Sequence, residues 1–108
     1  MNQFLIIVKG CDHSASPEEM QKRLAIFGEW VQNVVKDRYV TGAPLEEEGT
    51  LLKSKTEVLT DGPFIESKEM ISGYIIVKAA DMAEAVEMTK ECPLLEKFQL
   101  EVRKLKPM

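Results

Sequence analysis

The chain predicts an α+β fold of the ferredoxin-like type, with one antiparallel sheet built from two split β-α-β units and a hairpin inserted between them. Three observations carry that expectation. Phe4-Leu5-Ile6-Ile7-Val8 and Tyr74-Ile75-Ile76-Val77 are unbroken apolar runs, rich in branched residues and too short for helices, so they read as buried strands. Ser16-Pro17-Glu18-Glu19 opens a helix, with Ser16 as cap, Pro17 in the first turn and Glu19 at the capping-box position. Asp81, followed three residues later by Glu84, opens a second helix in the same way.

The elements follow in order. The first strand, Phe4 to Val8, stops at Lys9-Gly10, and the loop Cys11-Asp12-His13-Ser14-Ala15 leads into a helix expected to reach about Asp37. Met20, Leu24, Phe27, Val31 and Val34 recur at spacings of four and three and form one apolar stripe, with Ile26 and Trp30 at its margins. Gly28, in mid-helix, costs about 1 kcal/mol against alanine, so a close packing contact is expected there. Tyr39-Val40-Thr41 begins a second strand, ended by Gly42-Ala43-Pro44, and the three glutamates 46–48 belong in a solvated loop. Thr50 to Lys53 and Thr56 to Thr60 read as a short hairpin turning at Ser54-Lys55.

Ser72 to Lys78 holds the second strong strand. The helix after Asp81 presents Met82, Ala85, Val86, Thr89 and Cys92 inward, and Pro93 ends or kinks it. Phe98, Leu100 and Val102 alternate with Gln99, Glu101 and Arg103, which is the pattern of a half-buried strand. Without a linker or low-complexity stretch, residues 1–108 form one domain.

Composition narrows the function classes. A net charge of −4 and a pI near 5.1 argue against nucleic acid as a partner, because phosphate binding needs a basic surface. No apolar stretch approaches the ~20 residues of a membrane span. The N-terminal run lacks the flanks of a signal peptide. Two cysteines without a C-x-x-C motif supply no zinc site, so no metal and no cofactor are expected, and the protein reads as reduced and cytoplasmic.

Both strong strands are apolar on two faces, whereas two helices can cover only one face of the sheet. A one-sided antiparallel sheet would alternate. The second face therefore calls for a partner, and a homodimer through that face is the expectation.

Thr60-Asp61-Gly62-Pro63-Phe64, then Glu66-Ser67-Lys68-Glu69 and Gly73-Tyr74, resemble the YCII-related family, specifically its DGPF-domain branch. The likeness extends to the Ser16–Glu19 helix start, the strand at 40–42 and the Cys92-Pro93 helix end, and so covers essentially the whole chain. The resemblance implies a dimeric α+β barrel, in which two ferredoxin-like sheets pack face to face. It also implies a small bacterial protein of unassigned activity, some relatives being linked to alternative sigma factors, hence a possible transcription-related protein partner. A His-Asp pair has been proposed as the active site in the wider family. This chain departs from that pattern, since its one histidine, His13, lies in the first loop and not on the first helix.

Asp61 and His13 are the candidate catalytic residues. Asp61 reads either as the acceptor of an Asp-Gly turn or as a general base beside an apolar cavity, where burial raises a carboxyl pKa toward neutrality. His13 follows a strand end, where binding loops lie, although a lone loop histidine is usually just exposed. Phe64, Tyr74 and Trp30 are candidate ligand-binding aromatics between helices and sheet, or else plain core. Ser67 has no evident base and no elbow motif, which argues against nucleophilic catalysis there.

Two functional readings follow. The first is a cytoplasmic protein that binds a small molecule in a pocket between helices and sheet, or acts as a regulatory accessory. The second is a cofactor-free acid–base enzyme of the isomerase or lyase type. It would use Asp61 as base, with Tyr74 or His13 donating to a developing oxyanion.

Overall fold

In the computed structural model, which describes residues 1–12, 14–59 and 70–107, the two apolar runs become the two central strands of a four-stranded antiparallel sheet. The chain runs β1 (Asn2–Lys9), α1 (Pro17–Trp30), β2 (Tyr39–Pro44), β3 (Leu51–Leu52), β4 (Val58–Leu59), β5 (Ile71–Ala79), α2 (Met82–Lys90) and β6 (Gln99–Lys104). The sheet order β2-β5-β1-β6 is that of two interleaved β-α-β units, which makes the fold ferredoxin-like. Strands β3 and β4 form the inserted hairpin as a separate pair, Leu51 opposite Leu59 and Leu52 opposite Val58.

Register assigns every side chain of the central strands to a face. Phe4 lies opposite Val77, Ile6 opposite Ile75 and Val8 opposite Gly73, and this face is buried under the helices. Leu5 opposite Ile76 and Ile7 opposite Tyr74 point the other way and are half-buried. The core joins Phe4, Ile6, Ile75, Val77 and Ala79 of the sheet to Trp30, Val35, Ala85, Met88 and Cys92. Cys11 and Cys92 are not joined in a disulfide, and burial pushes the Cys92 thiol up to about 11.

The helix caps behave as their residue types dictate. Ser16 Oγ accepts from Glu19 N at 3.1 Å, and Asp81 Oδ1 accepts from Glu84 N at 2.9 Å. Glu84 reaches back to Ala80 N at 2.9 Å and also pairs with Arg38, tying the end of the first helical run to the start of α2. Pro93 does end α2 and then opens a 3₁₀ turn, Pro93–Glu96.

Five expectations need correction. The first helical run reaches Arg38, but α-geometry stops at Trp30; Val31–Val35 is a π-turn and Lys36–Arg38 a 3₁₀ turn. The wider i→i+5 turn puts Trp30 and Val35 on one inward face, which α-geometry would not do for residues five apart. Trp30, placed at the margin of the stripe from sequence, is thus the one buried residue of α1, while Met20 and Leu24 are 54% and 66% exposed. Gly28 meets no close neighbour, since a Cβ there would find nothing within 4 Å. In α2, Met88 replaces Met82 on the inner face, Met82 being exposed. The second strand also runs through Gly42 and Ala43 to Pro44 instead of ending before them.

Candidate functional site

Strand β2 approaches β5 closely at Gly42, where an added Cβ would lie 2.8 Å from the Tyr74 carbonyl oxygen and 3.0 Å from Tyr39 Oη. Only glycine fits that approach. Above this part of the sheet α1 stands away from the strands and rests on the 3₁₀ turn Pro93–Glu96. A cavity of about 310 Å³ fills the gap. Met20, Leu24 and Phe27 of α1 form its roof, Val8, Gly73 and Ile75 its floor, and Leu94 and Phe98 one side. The apolar stripe of α1 therefore faces a cavity instead of sealing a core, which explains why its first half is exposed.

Arg23 lies in the same wall and is its one charged residue among those described. Two contacts and its burial fix it. Its Nη2 donates to Asp12 Oδ2 at 2.7 Å, its guanidinium carbon sits 5.4 Å from the centre of the Phe98 ring, and its side chain is only 22% exposed. Asp12 Oδ1 in turn accepts from Ser14 N at 3.1 Å and from Ser14 Oγ at 2.6 Å. The Ser14 hydroxyl, and after it Arg23, hold the Asp12 carboxyl at about 2, below its ordinary 3.8, against a smaller opposing effect of burial. Asp12 is thus a carboxylate fully engaged by its neighbours and too weakly basic for proton abstraction near neutral pH.

The loop carrying Asp12 is anchored to the residue just ahead of β5. Gly10, at φ +111°, donates its N–H to the carbonyl of buried Met70 at 2.6 Å. Only glycine adopts that backbone conformation without strain.

Of the site residues expected from sequence, Asp61, Phe64 and His13 lie outside the described residues. Tyr74 borders the cavity, but the alternation of β5 turns its ring to the opposite sheet face, beside Ile76 and Ile7, so it brings backbone to the wall. Trp30 is buried in the core with its indole N–H donated to the Met88 carbonyl, and it is not among the cavity's lining residues. The structure does not bring Trp30 and Tyr74 together in one wall.

Sequence reasoning missed Arg23, Phe98, Leu94, Tyr39 and the Asp12–Arg23 pair. One signal was present: Arg23 occupies an i+3 position from Met20 and i−4 from Phe27, a charge set inside the apolar stripe. Among the described residues no three His, Cys, Asp or Glu side chains come together as metal ligands, and no helix is long and apolar enough to cross a membrane.

A family model described as the YCII-related domain matches residues 3–108. Among solved structures, the chain is similar to 5-chloro-2-hydroxyhydroquinone dehydrochlorinase (TftG) from Burkholderia phenoliruptrix AC1100 in complex with 2,5-dihydroxybenzoquinone. The TM-score is 0.54 at 20% sequence identity, with 96% of this chain and 93% of that chain covered, a likeness of fold. No curated protein matches the chain.

Proposed function

The chain belongs to the YCII-related domain family, and we propose that it binds a small, largely apolar ring compound in the cavity between α1 and the sheet. One observation carries this reading: a preformed space of about 310 Å³, apolar on nearly every side, with Arg23 as the single charged side chain among the described residues of its wall. Ligand sites have this make-up, apolar walls for affinity and few polar groups for orientation. The 310 Å³ volume stands at the small end of the range for such sites, which suits one or two fused rings.

The test is calorimetric titration of 2,5-dihydroxybenzoquinone and of naphthalene-sized aromatics into wild type and Leu24→Glu. Leu24 is mostly exposed, so the substitution leaves the fold intact while placing a carboxylate on the cavity wall. Wild type is expected to bind at least one compound at about 10–100 µM, equivalent to roughly −5.5 to −7 kcal/mol. Leu24→Glu should bind at least tenfold more weakly. Equal binding by the two proteins, or none by either, would remove the cavity from consideration.

The structural neighbour gives a second reading. It is a dehydrochlorinase that holds a small dihydroxyquinone, which favours acid–base chemistry on a ring compound, with Asp61 as the base. Among the described lining residues there is no Asp, Glu or His, so that role falls to a residue beyond them. Turnover of a chlorinated hydroquinone that disappears in Asp61→Asn is the result this reading requires.

For assembly, we propose that a second copy of the chain covers the sheet face turned away from the helices. Leu5, Ile7, Tyr74 and Ile76 form its apolar centre, and the Lys9–Glu101 pair, 3.0 Å apart, lies toward one edge. A centre of this kind with both charge signs beside it is self-complementary across a two-fold axis.

A further inference from the structure

We infer that the ligand of this cavity is an anion at neutral pH, a planar ring acid such as an aryl carboxylate or an acidic phenol, whose charged oxygen is received by Arg23. The inference rests on the reading of the cavity as a ligand site and adds the chemical class of its occupant.

Arg23 is in the cavity wall and Asp12 is not. The pair therefore presents its positive end to the cavity and keeps its negative end behind the wall. Both side chains are withdrawn from bulk water, 22% and 12% exposed, so solvent weakens this polarity less than it would at the surface. The Phe98 ring beside the guanidinium and the Oδ2 contact on one nitrogen hold the plane of the group in place. Asp12 takes one of its N–H donors, through one oxygen at 2.7 Å. A guanidinium has five such donors in a rigid fork, so the rest of the fork suits a second oxyanion.

A structural tie between the loop and α1 explains the Asp12–Arg23 contact by itself. It does not explain why the cation is set into an apolar wall, three residues from Met20 and four from Phe27. Withdrawing a charge from water into such surroundings is costly unless it is paired. Asp12 meets part of that cost, and an anionic ligand would meet more of it. An arginine beside aromatic rings also favours a flat occupant, because the ring stacks on Phe27 or Phe98 while the acid group lies in the plane of the fork.

Two isosteric probes, 2-naphthoate and 2-naphthamide, separate charge from shape. Calorimetry on wild type is expected to give tighter binding of the naphthoate by about tenfold or more, equivalent to ~1.4 kcal/mol. In Arg23→Gln that preference should vanish while naphthamide affinity stays within about threefold of wild type. Should Arg23→Gln fail to fold, Arg23→Lys keeps the charge without the fork and is expected to retain only part of the preference. Equal affinity for the two probes in wild type leaves the cavity reading standing and overturns the anion assignment. A naphthoate preference that survives intact in the folded variants overturns it too. Binding of neither probe overturns both readings.

Discussion

The indole N–H of Trp30, the last residue of α1, donates to the carbonyl oxygen of Met88 in α2 at 3.0 Å, with Trp30 itself 4% exposed. This bond joins the two helices where α1 meets the core, and α1 diverges from the sheet toward its other end to leave the cavity open. The Phe27 ring, 5.6 Å from that of Trp30, carries the contact into the cavity wall.

Trp30→Phe should therefore cost about 1–3 kcal/mol, the sum of one buried hydrogen bond and a partly refilled void. Met88 O keeps Glu91 N as a donor, so the loss should not reach the level of an orphaned buried carbonyl. Urea unfolding followed by far-UV circular dichroism measures it.

Two glycines respond to alanine in opposite directions. Gly42→Ala drives a Cβ against the Tyr74 carbonyl and should destabilise by about 1–3 kcal/mol, because backbone cannot step aside cheaply. Gly28→Ala meets open space in a helix interior and should stabilise by about 0.5–1 kcal/mol. A Gly42→Ala melting temperature at or above that of wild type would contradict the close approach of β2 to β5.

Acid stability should depend on Asp12. Its carboxyl ionises at about 2 in the folded chain against about 3.8 unfolded, so the unfolded state takes up the proton first as pH falls. The stability it contributes is present above pH ~4 and is lost between about 4 and 2. Asp12→Asn should flatten the pH dependence of unfolding in that window and leave its form above pH 5 unchanged. Chemical denaturation at half-unit pH steps reads the difference.

Much of this molecule was legible in its residues, and the parts that were not share a cause. The branched runs 4–8 and 74–77 and the caps Ser16 and Asp81 act locally, so sequence located the strands and helix starts. The stripe Met20, Leu24, Phe27 is legible as an apolar helical face, but such a face looks the same whether it packs on a sheet or lines a cavity. The distinction depends on how far α1 stands from the sheet, and the 3₁₀ turn at Pro93, on which α1 rests, helps set that distance through contacts remote in sequence. Arg23 was overlooked for the related reason that its partner, Asp12, lies outside the helix. The π-turn at Val31–Val35 left no local mark, since valines suit either geometry.

The second-copy proposal predicts a species of twice the 12.2 kDa chain mass in sedimentation at micromolar concentration. Register places Ile7 on the face turned from the helices and Ile6 in the core. Ile7→Lys should abolish that species, either as a monomer or by aggregation of the freed apolar face. A wild-type monomer at micromolar concentration would contradict the proposal.

The central claim, a ligand site between α1 and the β2–β5 side of the sheet, is tested most directly by amide chemical-shift mapping during titration with 2-naphthoate. The largest shifts are expected at Arg23, Phe27, Gly42, Gly73 and Phe98, which surround one cavity but come from four separate stretches of chain. Shifts centred on Leu5, Ile7 and Ile76 across the sheet, or no shifts at millimolar ligand, would contradict it.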